Sequence, residues 1–226
     1  MRDGKGKLIS TVRDEIKVKL TETRAGQLGT RSLQYDAGFT LAPGTYQLKF
    51  LVRENRTGKM GTFQAPLVVP DLSAAADVLR LSSVVWSSQR QALQEAVGSA
   101  GARKKDLAAN PLIRDGQKLV PSITRAFRKD QNLYVYLEVY DPTAGEPESR
   151  PNVAAVLSFY RGKRKAFESS PVRLTQWAEG RPNVLPISFQ TPLAALPAGK
   201  YICQVDLIDE NARRFAFRRV EIALLP

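Results

Sequence analysis

The sequence contains no histidine and only one cysteine, Cys203, among its 226 residues. Without histidine the chain cannot build a Ser-His-Asp or Cys-His catalytic site, or a zinc site with imidazole ligands. One cysteine cannot form a disulfide bond within the chain. The chain also lacks glycine-rich phosphate-binding loops and the nucleophile motif G-x-S-x-G. We therefore predict that the protein is not an enzyme and uses no metal or other cofactor.

Long apolar segments are missing as well. The longest apolar runs have about five residues, far short of the roughly 20 that a membrane-spanning helix needs. No apolar region follows the first few residues, so the sequence shows no signal peptide. We predict no membrane span and, if Met1 is the native start, a cytoplasmic protein.

Positive charge is the main excess in the composition. The chain has 34 basic and 22 acidic residues, a formal net charge of +12. The basic residues form several separate clusters rather than the single stripe that is typical of nucleic-acid binding. This pattern weighs against a nucleic-acid partner and leaves weak polyanion binding as an alternative function. One cluster is a candidate binding surface between two predicted strands: Arg161, Lys163, Arg164 and Lys165.

Strand patterns dominate the sequence. Residues 133–140 alternate strictly, with leucine and valine on one face and Tyr134, Tyr136, Glu138 and Tyr140 on the other. Similar runs bounded by turn residues cover 8–20, 47–52, 63–69, 78–86, 153–160, 184–189, 201–208 and 215–224. Residues 89–109 are rich in Ala, Gly and Ser, and we predict a mobile loop there with at most two helical turns.

A Pro-(x)-Gly-x-Tyr element occurs twice, each time before an alternating strand. A tyrosine at such a strand start can bond its hydroxyl to upstream backbone, as in the tyrosine corner of immunoglobulin-like sandwiches. Cys203 follows the second tyrosine and, without a partner cysteine, is predicted to be a small buried apolar residue. The six structural residues of the two elements are Pro43, Gly44, Tyr46, Pro197, Gly199 and Tyr201.

The repeat predicts an all-β fold of two tandem immunoglobulin-like or fibronectin type III-like β-sandwich units. The boundary is placed in the Pro70–Ser73 turn, giving units of residues 1–72 and 73–226, with the insertion near 89–109 in the second. The first unit has only about four strand patterns, too few for a two-sheet core. Either it packs on the second unit or its opening strands precede Met1.

Two further features have alternative interpretations. Trp86 and Trp177 are candidates for an aromatic platform that binds a sugar, which makes a carbohydrate-binding module a second alternative function, but core or edge packing is the favoured interpretation of two lone tryptophans. The oxygen-bearing residues Asp206, Asp209, Glu210 and Asn211 could line a calcium loop, but a solvated turn is the favoured interpretation.

Several stretches together resemble a known family. They are residues 35–46, 51–61, 69–72, 81–90, 110–112, 127–134, 140–142 and 196–217. They are similar to the C-terminal half of the "VWFA-related" (von Willebrand factor A-related) proteins that are widespread in acidobacteria. These matching residues are framework and turn positions, so the resemblance concerns architecture and implies no activity for any named residue.

That family carries an export signal and a von Willebrand A-like domain before its β-sandwich domains, and both are missing here. The resemblance therefore implies that Met1 is internal to a longer exported protein, located in the periplasm or outside the cell. On this basis we predict a non-catalytic structural or protein-binding module. Its expected partner is another protein or the upstream A-like domain of the same polypeptide.

Overall fold

The computed structural model describes residues 1–13, 15, 38–72, 78–93, 110–140, 150–181 and 183–226. These residues form sixteen strands and no helix, which confirms the all-β prediction. Consequently, in these ranges there is no helix long and apolar enough to cross a membrane. The chain divides into two compact units, the first holding described residues 1–72 and the second holding the described residues from 78 onwards. The predicted boundary at 72/73 borders residues outside the described ranges and stays a prediction.

The first unit contains one antiparallel sheet in the order β1-β2-β3. Its long hairpin pairs Gly44 with Val69 and Arg53 with Met60. The predicted strand at 8–20 is wrong in its described part, because residues 8–13 contain only an isolated bridge at Leu8; the rest lies outside the described residues. The three strands are β1 (Arg2–Asp3), β2 (Gly44–Arg53) and β3 (Met60–Val69).

The second unit contains two larger sheets. The first sheet consists of β4 (Arg80–Leu81), β5 (Val85–Ser87), β10 (Asn132–Tyr140) and β14 (Val184–Pro192), with β10 in the centre. The second sheet consists of β9 (Ala126–Arg128), β11 (Val153–Arg161), β12 (Arg164–Glu168), β13 (Val172–Leu174), β15 (Gly199–Asp209) and β16 (Arg214–Leu225). Along its main path the order is β12-β11-β15-β16-β9.

The inward faces of these two sheets share one apolar core, so the second unit is a β-sandwich. Leu137 of β10, Phe159 of β11 and Val205 of β15 are completely buried, as their alternation predicts. The Phe159 ring packs edge-on against Phe167, with centroids 5.3 Å apart. Cys203 is also fully buried, and this burial raises the pKa of its thiol.

Both Pro-(x)-Gly-x-Tyr elements have the same hydrogen bond. The Tyr201 hydroxyl donates to the Pro197 carbonyl oxygen at 2.8 Å, and the Tyr46 hydroxyl donates to that of Ala42 at 2.7 Å. Each bond spans four residues. The preceding Gly199 has a φ of 146°, and a Cβ there would lie 3.3 Å from Nη2 of Arg161. A glycine is therefore required at this strand start.

We expect Tyr201→Phe to lower the free energy of unfolding of the second unit by about 1 kcal/mol, because it removes one hydrogen bond at a buried position. Urea unfolding followed by tryptophan fluorescence checks this, since both tryptophans lie in the second unit. Tyr160→Phe is the control, because no described residue bonds the Tyr160 hydroxyl. Equal losses in the two variants would contradict the prediction.

A third sheet in the second unit was not predicted. It has the order β6-β8-β7 and consists of β6 (Gln89–Ala92), β7 (Ile113–Arg114) and β8 (Gln117–Val120). The predicted loop at 89–109 is therefore wrong at residues 89–92, whereas 94–109 lie outside the described residues. The physical reason is long-range pairing: Gln89 is opposite Val120, and no local pattern in such short polar strands shows this.

Candidate functional site

The two tryptophans do not form a sugar platform. Trp86 is 5% exposed and lies in β5 opposite Val135, within the core. Trp177 is half-buried and packs against the same core. The platform prediction is thus corrected at Trp86, because a buried indole cannot stack on a ligand.

The predicted basic cluster forms the tip of the β11–β12 hairpin. Arg161 is opposite Arg164, and Gly162 and Lys163 make the two-residue turn between them. All four basic side chains of the cluster are exposed, and Lys165 is paired with Glu168. The structure therefore brings Arg161, Lys163, Arg164 and Lys165 together, as a solvated hairpin tip.

The acidic residues near 209 make a turn. Asp209 is fully buried, and its Oδ1 accepts hydrogen bonds from the amides of Asn211 and Ala212, both at 3.1 Å. Its Oδ2 is 3.2 Å from the Arg214 guanidinium. The described ranges contain no group of three or more His, Cys, Asp or Glu residues arranged to hold a metal ion.

Strand β16 has an open edge in the described structure. It pairs with β15 from Arg214 to Leu224, that is, at every residue except Leu225. On its other side it pairs with described residues only at Ala223–Leu225, where β9 runs parallel to it. An unpaired strand edge is a ready template for another extended chain.

The main-chain groups of this edge point outwards at alternate residues. The Ala223 amide donates to the Arg125 carbonyl, and the Leu225 carbonyl accepts from the Lys129 amide, so both residues direct their backbone towards β9. Because this direction alternates along a strand, Phe217, Arg219 and Glu221 direct theirs to the same side, beyond the end of β9.

The outer face of β16 next to this edge is apolar and basic. Phe215 is 70% exposed and Phe217 is 45% exposed, and Phe215 is opposite the exposed Ile208 of β15. The Arg219 guanidinium lies 5.0 Å from the Phe217 ring centroid. Arg213, Arg218, Arg219 and Glu221 are exposed here, whereas Arg214 is paired with the buried Asp209, so this surface carries net positive charge. We call β16 from Phe215 to Glu221, with these side chains, the β16 edge.

A second polar surface lies on the outer face of β10. Glu138 is 2% exposed, and its two carboxylate oxygens accept from Nη1 and Nη2 of Arg181 at 2.6 and 2.9 Å. The hydroxyls of Tyr136 and Tyr140 donate to the same carboxylate at 2.7 and 2.9 Å. A buried carboxylate is thereby fully paired.

These contacts shift the pKa values of the cluster. Burial raises the pKa of Glu138, but the hydrogen bonds from Arg181, Tyr136 and Tyr140 outweigh burial and leave this pKa below its usual value. Burial, with the bond to Glu138, raises the pKa of Tyr140 to about 12. The pKa of Tyr136 is raised for the same reasons. The cluster therefore holds one carboxylate and two protonated hydroxyls at neutral pH.

A groove of about 270 Å³ separates β10 from the small third sheet. Tyr134 and Tyr136 line one wall, whereas Arg90 of β6 and Arg114 of β7 line the other. The Arg90 guanidinium stacks over the Tyr134 ring at 4.2 Å from its centroid. We call this space the Tyr-Arg groove.

The sequence pattern identified only part of these surfaces. Alternation placed Tyr134, Tyr136, Glu138 and Tyr140 on one face, and the structure has them there. Arg181 and Arg90 were missed, because they come from a distant loop and from an unpredicted strand. The open edge of β16 could not be foreseen, because a strand's neighbours depend on the tertiary fold.

No protein-family model and no curated protein matches this sequence. The solved structures that match include an immunoglobulin-like protein from Pseudomonas aeruginosa, at 8% identity. The match covers 47% of this chain and 83% of that chain, with a TM-score of 0.28. So distant a likeness carries no argument about function. The assignment of the second unit as an immunoglobulin-like sandwich is based instead on its two sheets, their shared core and the tyrosine corner.

Proposed function

We propose that this β-sandwich is a non-catalytic protein-binding module, and that its partner is an extended, acidic polypeptide segment that adds a strand at the β16 edge. The single observation that carries the proposal is the row of outward main-chain groups at Phe217, Arg219 and Glu221, which no described strand covers. The Phe217 carbonyl oxygen accepts a hydrogen bond from Nη1 of the exposed Arg218 at 3.2 Å, and an added strand would replace this contact. In strand addition such groups supply affinity, and the flanking side chains supply specificity.

The charge and the exposed side chains of the β16 edge indicate the chemistry of the partner. The exposed Phe215 and Phe217 suit apolar side chains at alternate positions of an added strand. The exposed arginines at 213, 218 and 219 favour acidic side chains in it, and they oppose a second copy of β16, whose own arginines would face them. The resemblance to VWFA-related proteins belongs to this proposal, since an upstream A-like domain would be one source of such a segment.

The test uses a capped nine-residue peptide of alternating valine and glutamate, titrated into ¹⁵N-labelled protein. We expect its binding to shift the amide signals of Phe217, Arg219 and Glu221. The matched peptide of alternating valine and lysine should bind about tenfold more weakly, a difference of about 1.4 kcal/mol. No binding of the glutamate peptide at millimolar concentration would refute the proposal.

Two variants of one residue separate backbone pairing from side-chain contact. Phe217→Pro removes an outward amide, and proline is tolerated on an edge strand, so the fold should persist. Phe217→Ala loses the same ring but keeps the amide. We expect Phe217→Pro to bind the glutamate peptide at least about tenfold more weakly than Phe217→Ala. Equal affinities would show that no strand is added, and dimerisation seen by light scattering would identify a second copy as the occupant instead.

A further inference from the structure

We propose that the Tyr-Arg groove is a second binding site, which takes a sugar ring that carries a carboxylate, such as a uronic acid residue of an acidic polysaccharide. This site differs from the β16 edge in position and in ligand. It also differs from the two sites considered from the sequence, because it uses neither the tryptophans nor the β11–β12 hairpin tip.

The wall formed by the small sheet presents two arginines on one face. Arg90 is opposite Leu119, and Arg114 is opposite Gln117. Leu119 and Gln117 are two residues apart on β8, so their side chains share a face, and all four residues line the groove. The buried Ser87 holds this sheet in place, since its hydroxyl bonds the Val120 carbonyl oxygen.

The Arg90 guanidinium is available to donate hydrogen bonds to a ligand, because the described chain supplies no acceptor for it. The Cζ atom of this guanidinium lies over the Tyr134 ring, 4.2 Å from the ring centroid, and no described residue accepts a hydrogen bond from the guanidinium. A stacked guanidinium keeps its edge N–H groups free for bidentate pairing with a carboxylate. Because the stacking already restricts the side chain, less entropy is lost when a ligand binds.

The opposite wall offers a fixed aromatic surface. Tyr136 is half-buried, and its hydroxyl is held by Glu138 at 2.7 Å, so its ring cannot turn freely. Ser188, opposite Tyr136 on β14, and Gln117 add a hydroxyl and an amide to the lining. An aromatic surface with a few convergent polar groups suits a ring that has both C–H faces and hydroxyls.

The volume and the net charge of the Tyr-Arg groove further restrict which ligands it can bind. The groove of about 270 Å³ lies just below the roughly 300–1,000 Å³ of drug-sized sites, so it accommodates about one ring. Its charged lining residues are Arg90, Arg114 and Asp115, and Asp115 lies 3.9 Å from Arg114. The lining therefore carries a net charge of +1, which matches one carboxylate per ring better than a doubly charged phosphate.

The test is calorimetric titration of the whole chain with trigalacturonate and with its fully methyl-esterified form. We expect trigalacturonate to bind and the ester to bind at least about tenfold more weakly, because the ester keeps the rings and loses the charges. Equal binding of the two, or no binding of trigalacturonate at about 10 mM, a concentration that corresponds to a binding free energy of only about −2.7 kcal/mol, would overturn the proposal.

Two charge-matched variants locate the site. Arg90→Gln should weaken trigalacturonate binding by about tenfold or more, whereas Lys200→Gln at the exposed Lys200 of β15 should leave it unchanged. Equal losses would indicate general charge attraction rather than the groove. A single-stranded thymidine nonamer that binds more tightly than trigalacturonate, with the loss in Arg90→Gln, would assign the groove to nucleic acid. Phe217→Pro should keep full trigalacturonate affinity, so this test stands apart from that of the β16 edge.

Discussion

Replacing Phe159 by alanine is expected to lower the free energy of unfolding of the second unit by about 3–5 kcal/mol, the largest loss that we predict. The ring is completely buried between the two sheets. It makes edge-on contacts with Phe167, at 5.3 Å between centroids, and with Tyr201, at 6.4 Å. Removing it leaves a cavity and also removes both aromatic contacts, each worth about 0.5–1.5 kcal/mol beyond area burial.

Urea unfolding followed by tryptophan fluorescence measures this loss, because Trp86 and Trp177 both report on the second unit. A domain is stable by about 5–15 kcal/mol, so Phe159→Ala could leave too little folded protein to measure. Phe159→Leu keeps most of the volume and should cost about 1–2 kcal/mol. Phe215→Ala is the control, since that ring is 70% exposed and should change stability by less than about 0.5 kcal/mol. A control loss as large as that of Phe159→Leu would contradict this account.

The second large effect is expected at the Glu138–Arg181 pair. Arg181→Met should lower the free energy of unfolding at pH 7 by about 2–3 kcal/mol, because it leaves the buried carboxylate of Glu138 without its cation. This is less than the 3–5 kcal/mol typical of fully buried pairs, because the Arg181 side chain is 45% exposed and partly screened by water. The hydroxyls of Tyr136 and Tyr140 remain and limit the loss.

The same cluster predicts a dependence on pH. The pKa of Glu138 is lower in the folded protein than the value of about 4.3 in an unfolded chain. Its ionised form therefore stabilises the fold above that unfolded value, and this contribution is lost as the pH falls through the folded pKa. We expect the stability difference between wild type and Glu138→Gln to be full at pH 7 and to shrink below about pH 4.

Tryptophan-monitored urea unfolding at several pH values between neutral and acid measures this difference. Glu168→Gln is the matched control, because Glu168 also pairs with a cation, Lys165, but both side chains are about half exposed. The control should show no measurable loss at pH 7. A Glu138→Gln difference that stayed constant down to pH 3 would contradict the assignment of the acid sensitivity to this carboxylate.

The long strands could be predicted from sequence because each carries its own pattern. Strand β10 was foreseen at 133–140 and runs from Asn132 to Tyr140, since one face had to be apolar to enter the core. Strands β11, β15 and β16 follow the same rule. The repeat of Pro-(x)-Gly-x-Tyr also located two strand starts, because a glycine at positive φ is a local requirement.

The short strands and the surfaces depend on contacts that a local pattern does not contain. Residues 78–86 were predicted as one strand, but the structure has β4 and β5 with a break between them. At this break the Glu138 amide donates its hydrogen bond to the Ser82 side-chain oxygen rather than to a backbone carbonyl. Likewise Arg90 and Tyr134 belong to distant segments, so the groove between them exists only after folding.

The buried position of Cys203 has a consequence for kinetics. It is the one thiol in the chain, it is fully enclosed between the sheets, and its raised pKa keeps it protonated and unreactive. A thiol reagent can therefore modify it only during the brief openings of the second unit. When the reagent is in large excess, every opening leads to labelling, so the labelling rate equals the rate at which the second unit opens. The thiol therefore reports the frequency of these rare openings in a protein that carries no substitution.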